Sequence, residues 1–246
     1  MKADPSAQAL LLDLQKIDTS LDQLGHRRAH LPELAELDRL ARELSAAEDE
    51  RARAQAEVDD LDRDIARLER DVDQVRARKE KDSDRLASGR GPARELEALQ
   101  HELESLNRRQ HELEDAELAL MERREQAETT RSEIIARLAA GQQQRAETET
   151  RRDAALAEIA AQEASHAEAR KPLVGQLPAD LVRLYEKLRE DLGGTGAALL
   201  RSGRCGGCRL DMAGSERARI RSAAADEVIR CDECRRILVR TAESGL

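Results

Sequence analysis

Cys205-Gly206-Gly207-Cys208 and Cys231-Asp232-Glu233-Cys234 hold all four cysteines of the 246-residue chain. Two cysteines three apart can turn both sulfurs toward one ion across a tight knuckle, and two knuckles supply the four thiolates of a tetrahedral zinc. The spacing therefore predicts one structural Zn2+ held by Cys205, Cys208, Cys231 and Cys234. A redox dithiol typically sits at a helix start in a βαβ context, which this region lacks. Four thiolates also close the coordination sphere, whereas a catalytic zinc keeps a position for water. No enzyme is expected. The chain has no phosphate-cradling Gly loop, nucleophile elbow or convincing triad, so no catalytic residue is assigned. The five histidines (His26, His30, His101, His111, His166) lie far upstream on charged segments. His26 and His30 have the i, i+4 spacing of a metal pair but lack nearby carboxylate or thiol support.

Arginine is concentrated around the knuckles. Residues 196–246 carry ten Arg against seven carboxylates. Guanidinium suits phosphate, so Arg204, Arg209, Arg217, Arg219, Arg221, Arg230, Arg235 and Arg236 are candidate contacts to a nucleic-acid backbone or a protein partner. Arg201 and Arg240 belong to the same cluster. Two considerations oppose the nucleic-acid reading. Four thiolates and one Zn2+ remove two positive charges from the local excess of three, and no aromatic residue is available there for base stacking.

The rest of the chain has to position this small region, and its composition excludes a broad core. There is one Tyr (Tyr185), no Trp and no Phe, and 38% of residues are charged. With Ala so common among the apolar residues, too few large side chains remain to fill a wide interior at normal density. A compact enzyme fold is thereby excluded, and long helices burying one narrow stripe are favoured. Periodicity separates that reading from disorder. Leu37, Leu40, Leu44, Ala47, Arg51, Ala54, Val58, Leu61, Ile65, Leu68, Val72 and Val75 alternate at three and four, broken only by Arg51, which is the spacing of a coiled coil. An earlier run, Leu10, Leu14, Ile17, Leu21 and Leu24, loses register near Gly25 and Pro32, predicting a kink or short break over 25–32.

Ser88-Gly89-Arg90-Gly91-Pro92 marks a reversal near 88–92. A second series follows: Leu96, Leu99, Leu103, Leu106, Gln110, Leu113, Glu117, Leu120, Arg124, Ala127, Arg131, Ile134 and Leu138. Matched lengths across the turn predict an antiparallel hairpin in which residue i faces about 181 minus i, setting Leu61 near Leu120, Ala54 near Ala127 and Arg51 opposite Arg131. Gln110, Glu117 and Arg124 form a half-polar row, either a solvated flank or a groove for a partner helix, and the row leaves self-association open.

Lys171-Pro172 is expected to end the second long helix. A short amphipathic helix then opens at Leu177-Pro178-Ala179-Asp180 and stops before Gly193-Gly194. Ala197 to Arg201, Arg217 to Arg221, Glu227 to Arg230 and Arg236 to Arg240 are strand candidates. The fold class is thus mainly α, a long antiparallel coiled-coil hairpin over 1–170 followed over 171–246 by a short helix and a small β-rich zinc ribbon, hinged near Pro172 to Pro178. Residues 1–170 are acidic on balance while 196–246 are basic. No segment has the apolar length of a membrane span, and the N-terminus lacks a leader pattern, so a cytoplasmic protein without a membrane partner is expected. Arg outnumbers Lys 36 to 6, pointing toward a GC-rich bacterial genome.

Several segments together resemble a known family: Leu177-Pro178-Ala179-Asp180-Leu181 with Tyr185-Glu186-Lys187-Leu188-Arg189, Cys205-Gly206-Gly207-Cys208 with Met212, and Cys231 to Cys234 running into Arg236-Ile237-Leu238-Val239. These are similar to the bacterial proteins that join a long helical hairpin to a C4-type zinc ribbon. The resemblance covers the whole chain as architecture and implies no enzymatic activity. Better-known relatives act as adaptors or chaperone-like partners in flagellar and type III secretion, one line also being linked to an alternative sigma factor and to messenger RNA. The family usually has Gly after the last Cys, where this chain has Arg235, so the second knuckle is expected to be slightly strained. Together these features point to a non-enzymatic zinc-binding adaptor with protein partners, the alternative being a regulator that touches nucleic acid through the Arg-rich ribbon.

Overall fold

The computed structural model describes residues 1–245. Five helices and four short strands follow in the order α1 (Pro5–Ala29), α2 (Pro32–Ala87), α3 (Ala93–Gln176), α4 (Ala179–Asp191), β1 (Ala197–Arg201), β2 (Arg204–Cys205), α5 (Gly214–Ser222), β3 (Ile229–Arg230) and β4 (Ile237–Val239), then a 3-10 turn at Ala242–Ser244. Contacts divide the chain into two units. One joins residues 1–34 to 150–246, and the other is 35–149. The contact boundary and the sequence boundary at 170 therefore fall in different places.

Unit 35–149 is the hairpin shaft. Val58, Leu61 and Ala127 form one buried cluster with Leu120 against it, and Ala47, Ala54, Ile134 and Leu138 form another. Leu61 with Leu120 keeps the expected register, and Arg78 reaches Glu102 on it as well. Arg124 to Asp62 (3.1 Å) and Arg131 to Gln55 (2.7 Å) lie a little over a turn beyond it. Arg51 does not face Arg131. It is exposed and pairs with Glu48, while Arg131 is half-buried between Gln55 and Glu128. A guanidinium in a narrow seam must find acceptors, so the long side chain selects the amide and carboxylate within reach rather than a like charge. The half-polar row of α3 is likewise engaged by α2: Gln110 accepts from Lys79 at 2.6 Å, and Arg124 takes Asp62.

The other unit is built around a four-stranded sheet of order β2-β1-β4-β3, with β1 and β4 parallel and both outer pairings antiparallel. Side chains alternate across β4: Ile237 and Val239 face a cluster with Leu11, Leu14, Leu181 and Tyr185, while Leu238 faces Leu200, Met212, Ile220 and two of the cysteines. The sheet is thus the shared wall of two small cores.

Three sequence expectations change in this unit. Residues 217–221 lie inside helix α5 rather than a strand; alternating Arg and small residues are compatible with either, and burial of Glu216 and Ile220 on one side selects the helix. Pro172 does not end α3, which runs to Gln176. The missing hydrogen bond is tolerated because Leu173, Val174 and Leu177 beyond it pack on the α1 core, so the segment read as a hinge is held in place. Finally, α1 is broken from α2 at His30 as expected; Leu14 and Leu24 of its expected run are buried, Leu24 against Ile159 of α3, but Ala7, Leu11 and Asp18 take the place of Leu10, Ile17 and Leu21 in the buried stripe. It docks on the sheet, and Ala3 N donates to Asp226 O at 2.7 Å while Val228 N donates to Met1 O at 3.1 Å.

Arg240 shows why part of the arginine cluster is structural. Its guanidinium donates to the carbonyls of Ile220, Ala223, Ala224, Ala225 and Glu227 at 2.7 to 3.4 Å, closing the end of α5 onto β4. Only a planar fork reaches that set. Arg240→Lys is expected to cost about 2 kcal/mol, read as a lower urea midpoint of the zinc-loaded protein; an unchanged midpoint would show that the carbonyls are satisfied without it.

Candidate metal centre

The two knuckles superimpose in their hydrogen bonding. In the first, Cys205 N donates to Leu210 O (3.1 Å) and Cys205 O accepts from Arg209 N (2.8 Å); in the second, Cys231 N donates to Arg236 O (3.0 Å) and Cys231 O accepts from Arg235 N (2.9 Å). The residue after each second cysteine is left-handed, Arg209 at φ 62 and Arg235 at φ 63. The expected strain at Arg235 is therefore present, and Arg209 repeats it. Left-handed backbone costs a non-glycine residue on the order of 1 kcal/mol, so Arg235→Gly should stabilise the ribbon by about that much, visible as a higher melting temperature. A lower one would mean the Arg235 side chain contributes more than its backbone costs.

Local packing explains the glycines of the first knuckle. A Cβ on Gly206 would stand 2.8 Å from Leu199 O, and one on Gly207 2.5 Å from Arg236 Cδ. Gly206 N donates to Leu199 O at 2.9 Å, so the knuckle lies directly against β1. The second knuckle is tied to α5 instead: the buried Glu216 accepts from Asp232 N at 3.1 Å, and the Asp232 carboxylate takes Arg219 at 2.8 Å.

These elements bring the four sulfurs together. Cys205 Sγ and Cys234 Sγ are 3.7 Å apart, Cys208 Sγ and Cys231 Sγ 3.9 Å, and all four lie within 4.8 Å of one another. A tetrahedron with Zn–S bonds of about 2.3 Å has edges of about 3.8 Å; two of the six edges match it and none exceeds it by more than about 1 Å, so the set fits zinc. Its electrostatics fit too. Burial pushes the Cys205 thiol up to about 12 against the N–H groups of Cys208 and Gly207, and burial raises Cys231 as well. Burial also works against the Cys234 thiolate, but hydrogen bonds from the Arg236 backbone and side chain, with those from Cys231 and Cys205, hold it down at about 7. Four thiolates in this partly buried spot require a cation among them. The cluster holds one structural zinc with no position left for water.

No other group of three potential metal ligands occurs among the described residues. His26 and His30 stack with ring centroids 4.1 Å apart, and His30 Nδ1 lies 2.9 Å from the His26 carbonyl.

The candidate arginines divide sharply. Arg204 is paired to Asp211 by two 3.0 Å contacts, and Arg219 to Asp232. Arg230 donates to Arg235 O, and Arg236 turns inward to Thr195 O and Leu192 O. Arg217 is exposed beside Gly203. Arg209, Arg221 and Arg235 are exposed with no side-chain partner among the described residues.

A second polar centre escaped the sequence reading. Asp18 is fully buried, accepting from Tyr185 OH (2.8 Å) and from Arg170 Nε (2.8 Å), with Arg170 continuing to Glu186. Gln15 spans the same corner, its amide donating to Gly194 O and its carbonyl accepting from Gly196 N. The hydrogen bond and charge of Asp18 raise the Arg170 guanidinium further, and burial with Asp18 pushes the Tyr185 hydroxyl up. Polar residues at i, i+3 on an N-terminal helix look like a solvated face, so only a buried partner such as Tyr185 could have signalled this.

The chain matches the CT398-like coiled coil hairpin domain over residues 14–193 and the C4-type zinc ribbon domain over residues 204–238. It is 41% identical over 240 residues to an uncharacterized protein of Mycobacterium tuberculosis, covering 98% of each chain. A solved structure from Mycobacterium smegmatis has 40% identity and a TM-score of 0.84, covering 98% of this chain and 100% of that one. CT398 from Chlamydia trachomatis shares the fold at 18% identity and a TM-score of 0.68, covering 96% and 98%.

Proposed function

The chain belongs to the family that joins a CT398-like coiled-coil hairpin to a C4-type zinc ribbon, and from that premise we propose that it is a non-enzymatic, zinc-binding adaptor whose shaft and ribbon each engage protein partners. The carrying observation is the closed four-cysteine centre: it shapes a surface and leaves no coordination site for a substrate. The shaft supports the same role, because it exposes charged side chains along its length. The expectation of a cytoplasmic site of action belongs to this proposal; no helix among the described residues is long and apolar enough to cross a membrane. Affinity purification of the tagged full chain from its native cell, with zinc measured on the same sample, should recover a reproducible protein partner at about one zinc per chain. Repeated recovery of none would sink the adaptor reading.

Arg209, Arg217, Arg221 and Arg235 favour a second reading, contact with a nucleic-acid backbone. Four phosphate contacts would give a log K against log salt slope of about −3 to −4. A gel-shift titration without salt-sensitive binding would remove it.

A further inference from the structure

At the turn that joins α2 to α3, residues 85–94 carry three guanidiniums, Arg85 in the last turn of α2, Arg90 in the loop and Arg94 in the first turn of α3, and no carboxylate. All three are exposed, without a side-chain partner among the described residues. Asp84 and Glu95 flank this run, the latter with Oε2 3.4 Å from where a Gly91 Cβ would stand, so residues 84–95 keep an excess of one positive charge carried by three unpaired guanidiniums. The densest carboxylate run of α2 is Glu57, Asp59, Asp60, Asp62 and Asp64, interrupted only by Arg63 among charged residues, and all five are exposed. Arg63 pairs with Asp60 and Arg124 with Asp62. Glu57, Asp59 and Asp64 have no cationic partner among the described residues; Asp59 accepts only the Gln55 amide, at 2.8 Å. Three uncompensated cations at the tip thus match three uncompensated anions in the band.

Within one chain the two cannot meet. Arg85 stands on the same continuous helix as the band, roughly 30 to 40 Å away at 1.5 Å per residue, and Arg90 and Arg94 lie beyond it across the turn, several Debye lengths from the band at about 0.1 M salt. We propose that the Arg85, Arg90 and Arg94 tip of one chain docks on the Glu57, Asp59 and Asp64 band of a second copy. Each hairpin carries one tip and one band, so two antiparallel hairpins satisfy both contacts at once about a two-fold axis, leaving neither open to chain growth. A nucleic acid or a lipid headgroup would also attract the guanidiniums but would leave the band uncompensated. Repulsion between the acidic shafts elsewhere keeps the pair weak and salt-sensitive.

Sedimentation velocity of the full zinc-loaded chain tests this. Dimers are expected at about 50 mM salt and monomers at about 500 mM. Arg85→Ser with Arg90→Ser and Arg94→Ser should weaken dimerisation at least about tenfold; the sites are exposed, and circular dichroism will show whether the helices are intact. The decisive arm is a charge swap. A tip variant with all three arginines changed to Glu and a band variant with Glu57, Asp59 and Asp64 changed to Lys should each be monomeric alone and pair when mixed. Monomers at both salts, a dimer indifferent to the tip substitutions, or a mixture that stays apart would overturn the proposal. So would a low-salt monomer whose tip binds phosphatidylglycerol vesicles or RNA, which would assign the tip to that partner instead.

Discussion

Removing the zinc is expected to unfold the sheet and to release α1 from it, although α1 and the cysteines pack in different cores. The zinc-side core is only Ala198, Leu200, Met212, Ile220, Ile229 and Leu238 with the cysteines themselves. A core that small is marginal without the metal, whose binding in comparable four-ligand sites contributes on the order of 10 kcal/mol. The coupling to α1 runs through β1 and β4. Leu238 packs toward the zinc while Ile237 and Val239, on the same strand, pack on Leu11, Leu14 and Tyr185. When one face of β4 loses its core, the other face loses its wall. Hydrogen exchange after chelation, or in Cys231→Ser, should show lost protection in β1, β4 and residues 7–18, while the shaft over 35–149 keeps its own. Circular dichroism alone would be a poor probe, since helices dominate the signal. If zinc content falls to near zero and β1 and β4 stay protected, the metal is not what holds the ribbon.

Asp18→Ala is expected to destabilise the same unit by about 3 to 5 kcal/mol, more than a typical core truncation. Asp18 is buried and receives both Arg170 and Tyr185. Its removal leaves a buried hydroxyl with no acceptor and a partly buried guanidinium with Glu186 alone, so both lose what offset their desolvation. Tyr185→Phe removes one donor and leaves Asp18 paired to Arg170, so it should cost only about 1 to 2 kcal/mol. Urea denaturation of the zinc-loaded proteins separates the two. Equal costs for both variants would show that the Tyr185 hydroxyl bond, rather than the charge pair with Arg170, is what Asp18 contributes. Zinc content should stay near one per chain in Asp18→Ala at low urea, which distinguishes this route from loss of the metal.

The shaft and the metal centre were both readable before any coordinates, and for the same reason: each depends on short-range spacing. A three-four alternation of Leu and Ala makes one apolar stripe on a helix whatever lies beyond it, so Leu61 against Leu120 follows from counting from the turn. Likewise, two Cys-x-x-Cys pairs admit few arrangements other than a shared ion. Where the counting failed, a long side chain had another acceptor: Arg51 took Glu48 one turn back on its own helix, and Arg131 took Gln55 on α2. Arg217 to Arg221 read equally well as strand or helix, and the choice fell to Ile220, which is completely buried in the zinc-side core.

The amino-acid sequence by itself thus determined the helical hairpin, the turn at 88–92 and the four zinc ligands, because period and spacing are local properties of the chain. The tertiary structure alone decided that the N-terminal part of α1 serves the sheet, and that Pro172 sits inside a packed helix. It also decided that Asp18 is a buried charge and that Arg236 and Arg240 clamp backbone carbonyls instead of facing a partner. Each of those outcomes depends on a residue far away in sequence supplying the missing acceptor, donor or apolar wall: Tyr185 and Arg170 for Asp18, Ile237 and Val239 for Leu11 and Leu14, the end of α5 for Arg240. Burial and hydrogen-bond satisfaction are properties of pairs, and a spacing rule read along one segment sees only one member of each.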